Sequence, residues 1–158
     1  MLEDTAAMER YLPTIRAVLA LATRIGLGVV FIAHGWQKLG TDGVDTVAAG
    51  FAHSGIPAPT VAAWYATIVE LVGGVLLIAG LALPVVGVLL FLDMGGAFLF
   101  VHAGHGLFSA AGGFELVLVL GLASLLVGFA GGPLSLDRLV VRRRSRPGRT
   151  DDAVQATG

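Results

Sequence analysis

Apolar residues fall along this chain in four long runs that contain few charged residues. The runs lie at about 14–34, 60–81, 84–102 and 113–130. With a rise of about 1.5 Å per residue, each is close to the length that crosses a hydrocarbon core about 30 Å thick. Pro84 suits the first turn of the third run, where the missing N–H costs nothing. The pattern therefore predicts four membrane-spanning helices.

The composition agrees with an integral membrane protein. The mean hydropathy is +0.86, and 13% of the residues are charged, against about 25% in a soluble domain. A chain of 158 residues has room for one helical bundle and no separate soluble domain. The predicted fold is an all-α, integral membrane four-helix bundle at 14–140, between an N-terminal segment at 1–13 and a disordered basic tail at 141–158.

The positions of the lysine and arginine residues predict the orientation in the membrane. The loop between the first and second runs, 35–59, is the first outer loop and carries only Lys38. Arginines accumulate behind the fourth run, at Arg138, Arg142, Arg143, Arg144, Arg146 and Arg149. Positive charge favours the cytoplasmic side, so the C-terminus is expected in the cytoplasm. Four spans put both termini on the same side of the membrane. The expected location is the plasma membrane, with both termini in the cytoplasm. The lipid bilayer explains these arginines better than a nucleic acid does, and no nucleic-acid partner is expected.

A short helix is predicted inside the first outer loop. Val44, Val47, Ala48 and Phe51 recur with helical spacing and form one apolar face, which Gly55 and the following prolines end. We interpret this segment as an interfacial helix on the outer surface. A lid over the mouth of the bundle is the alternative that the periodicity leaves open.

Four ionisable residues interrupt the apolar runs: Arg24, Glu70, Asp93 and Glu115. A charge at mid-bilayer costs about 2.5–3.5 kcal/mol, so such residues usually have a partner or a function. Successive spans run in opposite directions, and Arg24, Glu70 and Asp93 each lie near the middle of their run. The three residues are therefore expected at one depth. We expect Arg24 to bridge the two acids, or to pair with one while burial keeps the other neutral. This cluster either fixes helix register or takes part in ligand binding, proton transfer or redox chemistry as a catalytic set.

A second polar layer is expected nearer the outer surface. It contains His105 and four candidate ligand-binding residues, namely His34, Lys38, His102 and Glu115. The histidines fit solvated interfacial positions, proton transfer or recognition of a polar head group. No metal site is predicted, because no span holds paired histidines at i, i+4 and the chain has no cysteine. Glu115 also suits a helix N-terminus, where the dipole favours an acid.

Helix geometry limits which residues of the third run can face the bundle axis. Asp93 and His102 are nine residues apart, close to 180° around a regular helix, so both face the bundle axis only if the helix bends or ends between them.

Glycines lie beside the ionisable residues at positions 26, 28, 73, 74, 95 and 96. They either let helix backbones pack closely or leave space for a flat ligand.

An ordered set of short motifs resembles the DoxX family of small four-helix membrane proteins. The resemblance extends over about 17–140. Its motifs are Arg24, the turn HGWQK at 34–38, FAHSGIPAP at 51–59, ELVGG at 70–74, Asp93, GFEL at 113–116, and GGPLSLD at 131–137. The last motif departs from the more usual Gly-Pro-Gly, which concerns local turn geometry alone.

The resemblance implies a membrane subunit linked to quinone oxidoreductases, with redox-complex partner subunits and a quinone as the implied cofactor. On this hypothesis Arg24 and His34 donate hydrogen bonds to quinone oxygens, while Glu70 or Asp93 relays a proton. Whether the chain is itself an enzyme is left open.

Two other classes of function remain open. A small proton-coupled transporter would also place polar residues at mid-depth. The sequence shows no paired broken helices and no inverted repeat, which transporters commonly have. Assembly into a homo-oligomer would compensate for this. An assembly or scaffold protein would need the buried charges only for structure.

Overall fold

The computed structural model describes residues 2–130 and 134–136. Its α-helices up to Ala130 are α1 (Leu2–Trp36), α2 (Val44–His53), α3 (Pro59–Ala79), α4 (Leu83–Ala97) and α5 (Glu115–Ala130). A π-helical segment at Gln37–Thr41 continues α1, and a second at Phe98–His102 continues α4. Two short 3₁₀ turns, Ala103–His105 and Ser109–Ala111, lie before α5. The predicted all-α class is confirmed.

Within the described residues, three helical stretches are long and apolar enough to cross a membrane, at Glu9–Thr41, Pro59–Ala79 and Leu83–His105. The helix α5 has 16 residues and is about 24 Å long, so its crossing stays a prediction, as does the complete four-span bundle. The helix α1 packs mainly along α3, and α4 packs mainly along α5. Contacts between α3 and α4 and between α1 and α5 join the two pairs.

The first helix is longer than the sequence pattern predicts. It begins at Leu2 and includes most of the segment 1–13, where Leu, Glu, Ala, Met and Arg are strong helix formers. It also continues beyond His34 through Trp36 and the following π-helical segment. The disordered basic tail predicted at 141–158 and the glycine-rich part of the last motif, 131–133, lie outside the described residues.

The buried core lies between the helices, and the outward surface is largely apolar. Phe31, Leu77 and Leu90 are fully buried at the centre of the main cluster. Large apolar side chains point outward from every long helix, including Val29, Val61 and Leu126. An apolar outer face is what a hydrocarbon solvent requires, so this distribution supports an integral membrane protein.

The helix predicted in the first outer loop is present as α2. Val44 and Ala48 are buried against Ala63 of α3, and Val47 and Phe51 pack around them. The predicted apolar face therefore contacts protein. Its position at a membrane interface stays a prediction.

Glycine contacts fix the distance between helices in each pair. A Cβ on Gly28 of α1 would lie 2.6 Å from the carbonyl oxygen of Gly74 on α3, and a Cβ on Gly87 of α4 would lie 2.9 Å from Cα of Gly128 on α5. These pairs support the packing explanation for glycine. It does not apply to Gly26, Gly95 and Gly96, since a Cβ there would meet nothing within 4 Å.

A glycine-terminated turn makes α3 and α4 an antiparallel pair. Gly80 adopts the left-handed conformation, with φ 73° and ψ 41°. Its N–H donates to Leu76 and Leu77 carbonyls, and the Leu81 N–H donates to the Leu76 carbonyl at 3.0 Å. This is a Schellman ending, which stops α3 at Ala79 and lets α4 begin at Leu83.

Candidate functional site

A cavity of about 440 Å³ lies among the helices. Its wall is mostly apolar and receives residues from α1, α2, α3, α4 and α5. Five of the predicted site residues line it: His34, Lys38, Glu70, Asp93 and His102. A concave apolar space with a few converging polar groups is the usual form of a small-molecule site.

Lys38 and Glu70 form an ion pair on the cavity wall. The distance from Lys38 Nζ to Glu70 Oε2 is 2.6 Å, and Glu70 is only 3% exposed. The π-helical segment after α1 carries Lys38, and the close approach of Gly35 to Leu71 brings this segment against the middle of α3. The Glu70 charge is therefore compensated by a cation on a neighbouring helix.

Asp93 faces the same cavity without a comparable partner. Asp93 is 8% exposed, and its Oδ2 makes no hydrogen bond to any described residue. Tyr65 of α3 also lines the cavity, and its hydroxyl donates to the Leu89 carbonyl at 3.3 Å, one turn before Asp93. A buried polar atom with no partner in the protein is available to a ligand.

The second π-helical segment changes the angle between Asp93 and His102 around the helix. The N–H of Ala103 donates to the Phe98 carbonyl five residues earlier, which defines a wider turn than in an α-helix. Each residue of such a turn advances by less than about 100°, so the angle between Asp93 and His102 around the helix is smaller than about 180°. Both residues line the cavity.

His102 is fixed by the segment that connects to α5. Its Nδ1 lies 2.7 Å from the Gly112 carbonyl oxygen. Because a carbonyl only accepts hydrogen bonds, Nδ1 carries the proton and donates. The neutral ring then has Nε2 as a hydrogen-bond acceptor.

Glu115 binds the connecting segment and does not line the cavity. Its Oε1 accepts hydrogen bonds from the backbone N–H and the hydroxyl of Ser109, each at 2.7 Å. Phe114 stacks edge to face on Phe98, with ring centroids 5.0 Å apart. Ser109 itself is part of the wall, so Glu115 acts on the cavity by holding the segment that closes one side. A direct ligand contact by Glu115 stays a prediction.

Arg24 lies apart from the acids, and the expected Arg24 bridge between Glu70 and Asp93 is wrong. Arg24 is 1% exposed, and its Nη2 donates to the Leu134 carbonyl at 2.7 Å. It packs beside Gly80, at the turn that ends α3. A cation near a helix C-terminus interacts favourably with the helix dipole. Nε and Nη1 of Arg24 are buried and have no hydrogen-bond partner among the described residues.

The register of α1 against α3 explains this difference. Gly35 lies opposite Leu71, Gly28 lies opposite Gly74, and Arg24 lies beside Gly80. Glu70 is ten residues before Gly80, so about 15 Å separates its level from that of Arg24. The prediction placed α1 too far outward because it ended the helix at His34.

Several wall residues were not predicted as site residues. Tyr65 and Ser109 supply further polar groups, while Phe51 and Ile56 bring the segment between α1 and α3 to the cavity. Tyr65 could have been predicted, because it is an aromatic residue with a polar hydroxyl inside an apolar run. Ser109 had no such signal, because only the folded connection places it near Glu115. Lys38 is the only lysine in the chain, and its single occurrence beside a span was a usable signal for a pairing role.

A metal centre finds no support in the part of the chain that the structure describes. Across 2–130 and 134–136, no group of three or more His, Cys, Asp or Glu side chains is placed to hold a metal ion.

Comparison with known proteins gives one match. The DoxX family model matches residues 19–103, which is more than half of the 158-residue chain. No curated protein and no solved structure matches it. The matched part runs from α1 to the 3₁₀ turn after α4, and it includes Lys38, Glu70 and Asp93. This chain is a member of the DoxX family and has the long apolar helices of an integral membrane protein.

Proposed function

We propose that the protein is a membrane subunit of a redox complex, and that its cavity binds the head group of a quinone. The observation that carries the proposal is the convergence of the Lys38–Glu70 pair and Asp93 on one apolar cavity of about 440 Å³. A lipophilic ligand with a polar head matches such a wall, because the apolar surface binds the body and the few polar groups orient the head.

The residues present fit a quinone. Its flat ring suits the apolar wall, and its two oxygens accept hydrogen bonds, for which Lys38 and His34 are the donors on the wall. Arg24 has no part in this binding, since it lies at the end of α3 remote from Glu70. A bound quinone would supply two-electron redox chemistry. Glu70 and Asp93 would hold or move the protons that accompany it.

The proposal includes the surroundings of the protein. The apolar outer faces of the helices contact the lipid bilayer. We propose the plasma membrane as the location, with both termini in the cytoplasm, on the basis of the arginines behind the fourth apolar run. Redox partner subunits would supply and remove electrons, because the cavity has no group of its own that does so.

Two glycines give a matched pair of variants for the test. Gly96 lines the cavity and Gly95 does not, while a Cβ on either would meet nothing within 4 Å. Gly96→Leu should fill part of the cavity, and Gly95→Leu adds the same side chain outside it. Binding of a short-chain ubiquinone to protein in lipid nanodiscs is measured by calorimetry, with empty nanodiscs subtracted.

We expect Gly96→Leu to lose at least about tenfold in quinone affinity, because the ligand and the new side chain compete for the same volume. Gly95→Leu should bind as the unaltered protein does. Equal binding by all three proteins would show that the quinone does not use this cavity. Absence of binding by the unaltered protein would reject the quinone proposal and favour the scaffold alternative.

A further inference from the structure

We infer that the cavity is also a site for a lipophilic organic cation, whose charge faces Asp93 and whose body lies against aromatic rings. This inference does not rest on quinone binding. It rests on the charges, the hydrogen-bond acceptors and the ring faces that the cavity presents.

The charges on the cavity wall do not balance. Six titratable side chains face the space from α1, α3, α4 and the two π-helical segments: His34, Lys38, Tyr65, Glu70, Asp93 and His102. Lys38 and Glu70 compensate each other at 2.6 Å. Asp93 is left without an ion-pair partner among the described residues, because Arg24 binds the Leu134 carbonyl instead. An ionised carboxylate that is nine-tenths buried is costly unless a cation accompanies it.

Two polar atoms on the side of Asp93 and His102 accept hydrogen bonds. Asp93 Oδ2 has no hydrogen-bond partner in the described part of the chain, and an ionised carboxylate only accepts. His102 uses its Nδ1 proton on the Gly112 carbonyl, which leaves Nε2 of the neutral ring as an acceptor. A ligand that brings positive charge therefore complements the part of the wall formed by Asp93 and His102.

Aromatic side chains supply the rest of the site. Phe31, Phe51, Tyr65 and Phe100 line the cavity from α1, α2, α3 and the second π-helical segment. Ring faces attract ammonium groups, and quaternary ammonium ligands are commonly bound by several rings together. The remaining wall is apolar, so a hydrated inorganic ion would lose its water without replacement ligands. An alkyl- or aryl-substituted ammonium ion matches both the charge and the surface.

Two probes of equal shape separate charge from hydrophobicity. Benzyltrimethylammonium carries a permanent positive charge, and neopentylbenzene has a neutral carbon in place of the nitrogen. Binding of each to the full chain in lipid nanodiscs is measured by calorimetry, and partition into empty nanodiscs is subtracted. We expect the cation to bind at least about tenfold more tightly than the neutral probe, because only the cation interacts with the Asp93 charge.

Variants then locate the site. Asp93→Asn should reduce cation affinity at least about tenfold and leave the neutral probe unaffected. Asp45→Asn makes the same chemical change at an exposed acid of α2 and should leave cation affinity unchanged. Phe100→Leu keeps every charge and should weaken cation binding by about threefold through loss of one ring face. Melting temperatures of all variants show whether each is folded.

Several outcomes would overturn the inference. They are equal affinity for the two probes, tighter binding of neopentylbenzene, or cation binding that Asp93→Asn does not change. Quinone binding with no cation binding would overturn this inference and leave the proposed function standing. Cation binding without quinone binding would support this inference and reject the quinone proposal.

Discussion

The ammonium group of Lys38 lies 2.6 Å from the carboxylate of Glu70 and joins the π-helical segment after α1 to the middle of α3. The Lys38 side chain is 20% exposed and that of Glu70 is 4% exposed, so the acid is the more deeply buried partner. Lys38 thus provides the countercharge that the sequence pattern assigned to Arg24. The pair also fixes the wall of the cavity at one end.

Replacement of Lys38 by methionine should destabilise the protein by about 3 kcal/mol, because it leaves the Glu70 charge buried and unpaired. Unfolding in mixed micelles with increasing denaturant measures the change. The double variant Lys38→Met with Glu70→Gln should recover most of the loss, since the uncompensated charge is gone. A double variant as unstable as the sum of the two single changes would contradict the pairing.

Replacement of Arg24 by methionine should separate stability from ligand binding. The Leu134 carbonyl loses its hydrogen bond and the turn at Gly80 loses a packing partner, so unfolding should become easier by about 2 kcal/mol. Arg24 does not line the cavity, so affinity per folded molecule for benzyltrimethylammonium should stay within about twofold of the unaltered protein. Calorimetry and micelle unfolding on one preparation give both values. Lost affinity with unchanged stability would place Arg24 in the ligand site after all.

The fold class followed from the sequence because hydrophobic runs report directly on helices in lipid. The runs at 60–81 and 84–102 correspond to α3 and to α4 with its π-helical continuation. The start of α1 at Leu2 was missed, since a polar helical extension carries no hydrophobic signal. The short helix α2 was found from four apolar residues at helical spacing.

The candidate site was predictable in its residue types but not in its pairings. His34, Lys38, Glu70, Asp93 and His102 were named and line one cavity. Which cation meets which acid depends on the axial register of α1 against α3, and periodicity does not determine register. The contact of Gly28 with Gly74 sets it. The placement of His102 on the same cavity wall as Asp93 depends on a π-helical turn, which has no clear sequence signature here.

Replacement of Gly80 by alanine should destabilise the turn between α3 and α4. The residue has φ 73°, which alanine adopts at a cost of about 1 kcal/mol, and its Cβ would press on Arg24 and Ser135. We expect a total loss of about 2–3 kcal/mol in micelle unfolding. Gly95→Ala is the control, because this glycine is inside α4 with open space around its Cβ position, and it should be neutral or stabilising. Equal effects of the two changes would contradict the described turn.

Replacement of Gly28 by alanine should force α1 and α3 apart, whereas the same change at Gly26 should not. A Cβ on Gly28 would lie 2.5 Å from a side-chain carbon of Ile78 and 2.6 Å from the backbone oxygen of Gly74, and the backbone contact cannot relax by rotation of a side chain. Overpacking of this kind costs about 1–3 kcal/mol, while Gly26→Ala should be neutral or slightly stabilising because alanine favours helix. Since Gly28 sets the register that brings Lys38 to Glu70, Gly28→Ala should also weaken cation binding in the nanodisc assay. If Gly28→Ala and Gly26→Ala unfold at the same denaturant concentration, α1 and α3 do not meet at these glycines.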